Sequence, residues 1–276
     1  MARAIAICNQ KGGVGKSTTA VNLGAYLALS SRRTLLLDLD AQGNATTACG
    51  IQKASLEQDI YAALVGDVAI QDAIRPTTVA GLHIVPAKLD LAGAEAYLGS
   101  IENKELWLKR AIEGLRNSYD AILFDCPPSL ALMTVNALVA ADSVLLPVQC
   151  EYLALEGLNS LMQAIELVRQ KLNQDLKICG IVLTMTDFRA NLAREVSNDV
   201  RNYFKEFVFE SVIPRNIRLA EAPSFGKPIY LYDPNSAGAL AYRMLAHEVI
   251  AREFGVMVDS SAQPSQEIAA AKGESV

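Results

Sequence analysis

Histidine is nearly missing from this sequence, and its two copies, His83 in a strand-like run and His247 in a helical one, are isolated from each other. Both read as structural. The five cysteines (Cys8, Cys49, Cys126, Cys150, Cys179) include no C-x-x-C spacing, so the zinc and dithiol patterns are absent and reduced core thiols are expected. No apolar run approaches the roughly 20 residues of a membrane span, and a glycine-rich motif begins about ten residues after Met1, too early for a cleavable leader. A cytoplasmic protein is expected. An excess of positive charge is lacking as well: 25 Lys and Arg stand against 30 Asp and Glu, a net charge of −5. That excludes a chain that is basic throughout but leaves room for a local patch.

What is present is a long alternation of apolar segments. At 276 residues, with 51% hydrophobic and 20% charged content, the chain can bury a full core in one large domain. Strand patterns at residues 4–8, 34–39, 82–86, 121–124, 143–148, 178–184 and 207–212 are interleaved with helical ones. The helices are clearest at residues 16–29, 104–116, 153–172, 191–205 and 237–253, where apolar residues return at three- and four-residue spacing. This predicts a single α/β domain over residues 1–254, with a mostly parallel sheet and helices on both faces. Beyond it the composition turns to Ser, Ala, Gln, Gly and Glu, and residues 255–276 are expected to form a disordered tail. There is no internal repeat.

Between the first strand and the first helix stands Asn9-Gln10-Lys11-Gly12-Gly13-Val14-Gly15-Lys16-Ser17-Thr18-Thr19. A phosphate-binding loop needs glycines so that backbone N–H groups can turn inward, a lysine for the β/γ-phosphates and a hydroxyl for Mg²⁺. Gly12, Gly13, Gly15, Lys16 and Ser17 supply these, with Val14 and Thr18 completing the cradle. The usual motif has a glycine six residues before the lysine, where this chain has Gln10. The additional Lys11 sits where the loop leaves the strand, facing away from its own cradle, so its natural target is the nucleotide of a second subunit. Asp38 and Asp40 follow the second strand two residues apart and share a face in an extended chain. Asp40 is thereby aimed past the strand end, toward an attacking water. Residues 121–125 are an apolar strand ending in Asp125, the form of a carboxylate that holds Mg²⁺ directly or through water.

KGGVGKST resembles the deviant Walker A motif of the ParA/MinD superfamily, and the resemblance spans roughly residues 3–253. The stretch LAEAPSFGKP at 219–228 is similar to one in chromosomal ParA/Soj proteins, pointing away from MinD and from nitrogenase iron proteins. The resemblance implies a P-loop NTPase fold and a Mg²⁺-dependent ATP hydrolase. It also implies an ATP-dependent sandwich homodimer, in which Lys11 reaches the partner's phosphates, and nonspecific binding of double-stranded DNA. A ParB-like protein would stimulate hydrolysis, and the system would segregate a chromosome or plasmid on the nucleoid. Asp38-Leu39-Asp40-Ala41-Gln42 resembles the family's DxDxQ switch, whose second aspartate positions the attacking water; Ala41 replaces the usual proline. Pro214 and Asn216 match residues that lie against adenine in Soj-like proteins, with Thr184 and Met185 as further candidates. Arg189 and Arg218 match positions that touch DNA, although residues 187–227 hold seven basic side chains against six acidic ones. Three alternatives stay open: a ParA-like ATPase that positions an organelle or protein cluster, a metabolic ATP-coupled ligase or reductase, and a membrane-bound division-site regulator. The last is disfavoured by the absence of a basic amphipathic helix in the tail.

Overall fold

The core follows from strand alternation. In β1 (Arg3–Ile7), Ala4 and Ala6 face one side of the sheet while Ile5 and Ile7 face the other. In β2 (Thr34–Asp38), Leu35 and Leu37 join the alanine side and Leu36 the isoleucine side. Both faces are buried, as a parallel sheet covered by helices requires. The further strands are β3 (Arg75–Pro76), β4 (Leu82–Val85), β5 (Ala121–Asp125), β6 (Ser143–Gln149), β7 (Lys177–Thr186) and β8 (Val208–Pro214). The helices are α1 (Lys16–Leu29), α2 (Asn44–Ala48), α3 (Ile60–Val65), α4 (Ala94–Gly99), α5 (Trp107–Ile112) and α6 (Leu132–Ala140), then α7 (Ala154–Lys171), α8 (Asn191–Phe204), α9 (Ile217–Glu221), α10 (Ile229–Tyr232) and α11 (Ala237–Phe254).

The computed structural model describes residues 1–99, 102–152, 154–187 and 189–255. Among these the strands form one sheet in the order β3-β4-β2-β5-β1-β6-β7-β8, parallel except where β3 runs antiparallel to β4. Helices α1 and α11 cover the Ile5 face and pack on each other; α5, α6, α7 and α8 cover the Ala4 face. Helix α8 shows why its pattern is legible: Ala193, Val196, Val200 and Phe204 point inward at three- and four-residue intervals. With β1 between β5 and β6, the loops after the central strands meet at one sheet edge, where open α/β sheets bind ligands.

Two expectations are corrected. Edge strand β3 is not visible as a pattern, because two residues ending in Pro76 carry no alternation and a proline fits only at an edge. The helix expected at 104–116 is broken into a 3₁₀ turn (Lys104–Leu106), α5 and a second 3₁₀ turn (Glu113–Leu115). Asn136 of α6 is the cause of the first break. Its amide donates to the Lys104 carbonyl at 2.9 Å and its oxygen accepts from the Leu108 N–H at 3.1 Å, capturing the two groups that an α-helix would bond to each other. The expected tail falls, from residue 256, outside the described residues, as does Leu153, the expected start of the helix observed from Ala154.

Candidate nucleotide site

The loop after β1 ends at Gly15, which opens α1 in the left-handed region at φ 91° and provides no side-chain cap. Gly13 is also left-handed, at φ 75°, a conformation that glycine adopts without strain. The first N–H groups of α1 are therefore left for an anion, and the helix dipole favours negative charge there. The loop is braced from outside. The Thr184 hydroxyl at the end of β7 donates to the Val14 carbonyl at 2.8 Å, and Asn9 bridges the Pro147 carbonyl at 2.7 Å and the Lys11 N–H at 2.9 Å. Thr19, one turn into α1, meets the buried Tyr242 hydroxyl of α11 at 3.1 Å.

Lys16 is 7% exposed, and its ammonium donates to the Lys11 carbonyl at 3.1 Å. Burial lowers its pKa, opposed by Asp125, with smaller help from Asp40. Such a buried cation with a neutral acceptor is prepared for an incoming phosphate. Lys11 goes elsewhere: its ammonium pairs with Glu151, just beyond β6. A cavity of about 410 Å³ lies against this pair, lined by Lys11, Val14 and Glu151 among others.

Gly12, Gly13, Gly15, Lys16, Ser17, Thr18 and Asp40 line one cavity of about 510 Å³. Pro214, Asn216, Thr184 and Met185 line a second, of about 280 Å³, which shares Gly15, Thr18, Met185, Leu219 and Ala220 with the first. The structure thus brings the phosphate and base candidates into adjoining spaces. Asn216 is also held by a capping role. Its side-chain oxygen caps α9 by accepting from the Arg218 and Leu219 N–H groups at 2.9 and 3.3 Å, leaving its amide N–H groups as donors with no protein acceptor among the described residues. Tyr242 and Leu219, which also line this second space, were not among the sequence-predicted residues. Lys227 reads as surface charge in the sequence but lines the phosphate cavity; Leu219 and Lys227 fall within the 219–228 motif, which gives no hint of their place at the site, and nothing in local pattern marks Tyr242. Arg189 and Arg218 line none of these three cavities.

Beneath the cradle, Asp38 and Asp125 stand side by side in the β2–β5 register. Asp38 accepts from the Thr46 N–H and hydroxyl at 2.8 and 2.7 Å and from the Asp40 N–H at 3.2 Å. Burial pushes its carboxyl up to about 6, these hydrogen bonds acting the other way. Neither oxygen of the fully buried Asp125 is hydrogen-bonded. Burial, then the neighbouring Asp38, raise its pKa well above the ordinary value, with the Ser17 hydroxyl and Lys16 opposing. An orphaned buried carboxylate beside a loop hydroxyl fits Mg²⁺, which takes few protein ligands and keeps waters and phosphates. Asp125 and Ser17 are the residues that would hold the ion, which would supply charge neutralisation at the phosphates. Asp40 is half-buried at the cavity wall. Its carboxylate accepts from the Gln42 N–H at 3.0 Å and its carbonyl from the Gly43 N–H at 2.8 Å.

The buried pair makes a pH prediction. A carboxyl whose folded pKa is raised contributes stability at low pH that is lost as pH rises from its unfolded value through its folded one. Asp38, moving from 3.8 to about 6, should cost the metal-free, nucleotide-free protein on the order of 3 kcal/mol across that interval, and Asp125 extends the loss to higher pH. Urea unfolding in chelator at pH 4.5, 6 and 7.5 should show this decline, and Asp125→Asn should flatten its upper part, between pH 6 and 7.5, while Asp38 keeps the lower part. An unchanged slope between pH 6 and 7.5 in that variant would contradict the assignment.

Residues 2–178 match the AAA domain family. Over 251 residues the chain is 55% identical to the sporulation initiation inhibitor protein Soj of Bacillus subtilis, covering 91% of this chain and 99% of that one. It is also 55% identical over 251 residues to the chromosome partitioning protein ParA of Myxococcus xanthus, covering 91% and 89%. Among solved structures, a cobyrinic acid a,c-diamide synthase from Mycobacterium smegmatis with bound ADP and magnesium superposes with a TM-score of 0.81 at 36% identity, covering 95% of this chain and 100% of that one. The cradle and these likenesses define a phosphate-loop ATPase, which hydrolyses ATP to ADP and phosphate and uses Mg²⁺. Within that class the chain belongs to the Soj/ParA family of chromosome-partitioning ATPases.

Proposed function

We propose that the chain works as an ATP-dependent sandwich dimer that binds double-stranded DNA without sequence preference. It releases DNA after hydrolysis stimulated by a ParB-like partner, and so drives segregation of a chromosome or plasmid on the nucleoid in the cytoplasm. Identity favours this over ligase chemistry, at 55% to Soj and ParA against 36% to the synthase. No helix among the described residues is long and apolar enough to cross a membrane. One observation carries the dimer: Lys16 occupies the cradle while Lys11, five residues earlier, extends out of it to Glu151. Lys11 lies outside its own cradle, and once it exchanges Glu151 for a phosphate it can serve a second copy's nucleotide. In this reading Lys16 and the loop amides bind the phosphates, Asp40 positions water, and Pro214 and Asn216 contact adenine.

Lys11→Ala should leave ATP affinity of the monomer within about threefold, because Lys11 lies outside its own cradle and an exposed pair contributes little, while ATP-dependent dimerisation is lost. Sedimentation velocity with Mg-ATP decides it: a normal dimer in this variant removes the cross-subunit role.

Replacing both Arg189 and Arg218 with Ala should weaken binding to all duplex sequences alike. The slope of log affinity against log salt should fall by about 0.9 for each DNA phosphate that is no longer neutralised, up to roughly four in a symmetric dimer. Titration of random-sequence duplex in Mg-ATP, alongside ATP affinity, tests it. Wild-type affinity and slope would return both arginines to the ordinary surface.

A further inference from the structure

Three cations that this reading sends beyond their own subunit, Lys11, Arg189 and Arg218, are each already bonded to a carboxylate of their own chain. Lys11 holds Glu151. Arg189 grips Asp187 as a fork, Nε to Oδ1 at 2.8 Å and Nη2 to Oδ2 at 2.6 Å, while its backbone N–H donates to the same Oδ1 at 3.1 Å. Arg218 donates through Nη1 to Glu221 Oε2 at 3.0 Å, and its Nε lies 3.5 Å from Asp233 Oδ2. The Tyr232 hydroxyl donates to that same Glu221 oxygen at 2.9 Å. Pairing is not general in this stretch. Arg215 and Lys227 make no ion pair among the described residues, and the exposed Glu195 and Asp199 of α8 make none either.

The Arg218 network is also tied to the nucleotide cavity. Leu219, Ala220, Ala222, Pro223 and Lys227, all lying between Arg218 and Asp233 in the chain, line the phosphate space. Gly226 in the same stretch presses on Gly50, beyond α2. A Cβ on Gly226 would lie 2.7 Å from the Gly50 Cα, closer than real side chains allow. The 217–233 segment thus packs backbone against backbone on the chain that follows α2.

We propose that Asp187, and Glu221 with Asp233, are intramolecular stand-ins for DNA phosphate that hold Arg189 and Arg218 away from DNA in the nucleotide-free chain. The inference rests on the DNA-binding reading above. An arginine already paired gains less by meeting a phosphate, since it must first give up a carboxylate of like charge and geometry; with pairs this exposed the effect is modest, which sets the scale of the expected changes. Meeting DNA then releases a counterion only at the expense of the internal pair. Because the Arg218 network straddles the cavity wall, nucleotide occupancy and release of Arg218 are coupled through the 217–233 segment.

The test is an Asp187→Asn/Glu221→Gln double variant of the full chain. It is titrated with random-sequence duplex DNA without nucleotide, with Mg-ADP and with Mg-ATP, over a salt series. Nucleotide-free affinity should rise about tenfold and the salt slope should steepen by about 0.9 for each arginine freed to reach a phosphate. The ratio between ATP-state and nucleotide-free affinity should shrink. A Glu195→Gln/Asp199→Asn double variant makes the same change in net charge without freeing an arginine, and should change affinity by less than about twofold with no change in slope. If it matches the first variant, bulk charge is the cause and the proposal fails. The proposal also fails if wild type binds DNA with ATP but the freed variant gains nothing without it. If wild type binds DNA in no nucleotide state, the DNA reading falls and this inference with it. Asp233→Asn, which keeps the Glu221–Tyr232 bond, provides a second route should loss of that bond disturb folding; it should raise nucleotide-free affinity in the same direction.

Discussion

Replacing Lys16 with Ala should abolish ATP binding while leaving the fold intact. Its ammonium is buried, and the hydrogen bond it makes is to the Lys11 carbonyl. Removing it therefore takes little from the empty protein. In the proposed reading the same ammonium becomes the buried partner of the β/γ-phosphate charge when nucleotide binds. Deleting one member of a buried ion pair typically costs about 3–5 kcal/mol, so Kd for Mg-ATP should rise by more than about a hundredfold. Calorimetric titration together with thermal unfolding of the empty variant separates the two effects. Near-normal affinity would move the nucleotide out of this loop, and a collapsed melting temperature would make Lys16 a structural residue.

Asp40→Ala should give the opposite signature, with ATP bound and dimer formed but turnover lowered by about 10²–10⁴-fold, the range general-base positioning contributes. The cradle and the Asp125 site do not include Asp40. Its loop keeps other supports, since Lys53 donates to the Gln42 carbonyl at 2.7 Å and the Asp40 carbonyl accepts from Gly43 whatever the side chain. Phosphate release measured with the partner present checks it. Turnover within about twofold of wild type would reassign Asp40 to the turn that it caps through the Gln42 N–H.

Much of this was readable along the chain. The α1 boundaries follow from glycine before and apolar periodicity after, and they coincide with the observed Lys16–Leu29. The strands differ from expectation by one or two residues at their ends, where side-chain period no longer constrains them. The broken helix around α5 was not readable, because the interrupting group, Asn136, arrives from another helix. Asp40 and Asp125 were found as strand-end carboxylates; that Asp125 lacks any hydrogen bond while Asp38 beside it has three donors was not. Burial and cross-strand register create that difference, and neither is a property of the local segment.

By itself the sequence determined the phosphate cradle, the strand-end carboxylates and the alternation that builds the sheet. Each depends on residues within a few positions of one another, where glycine conformations, helix capping and side-chain period act directly. The tertiary structure alone decided what each charge meets. Lys11 and Glu151 are 140 positions apart, and they are joined because β1 pairs with β6. Arg218 meets Asp233 because α9 and α10 fold back on each other. Charge acts through distance, and distance between remote segments is set by strand order and packing.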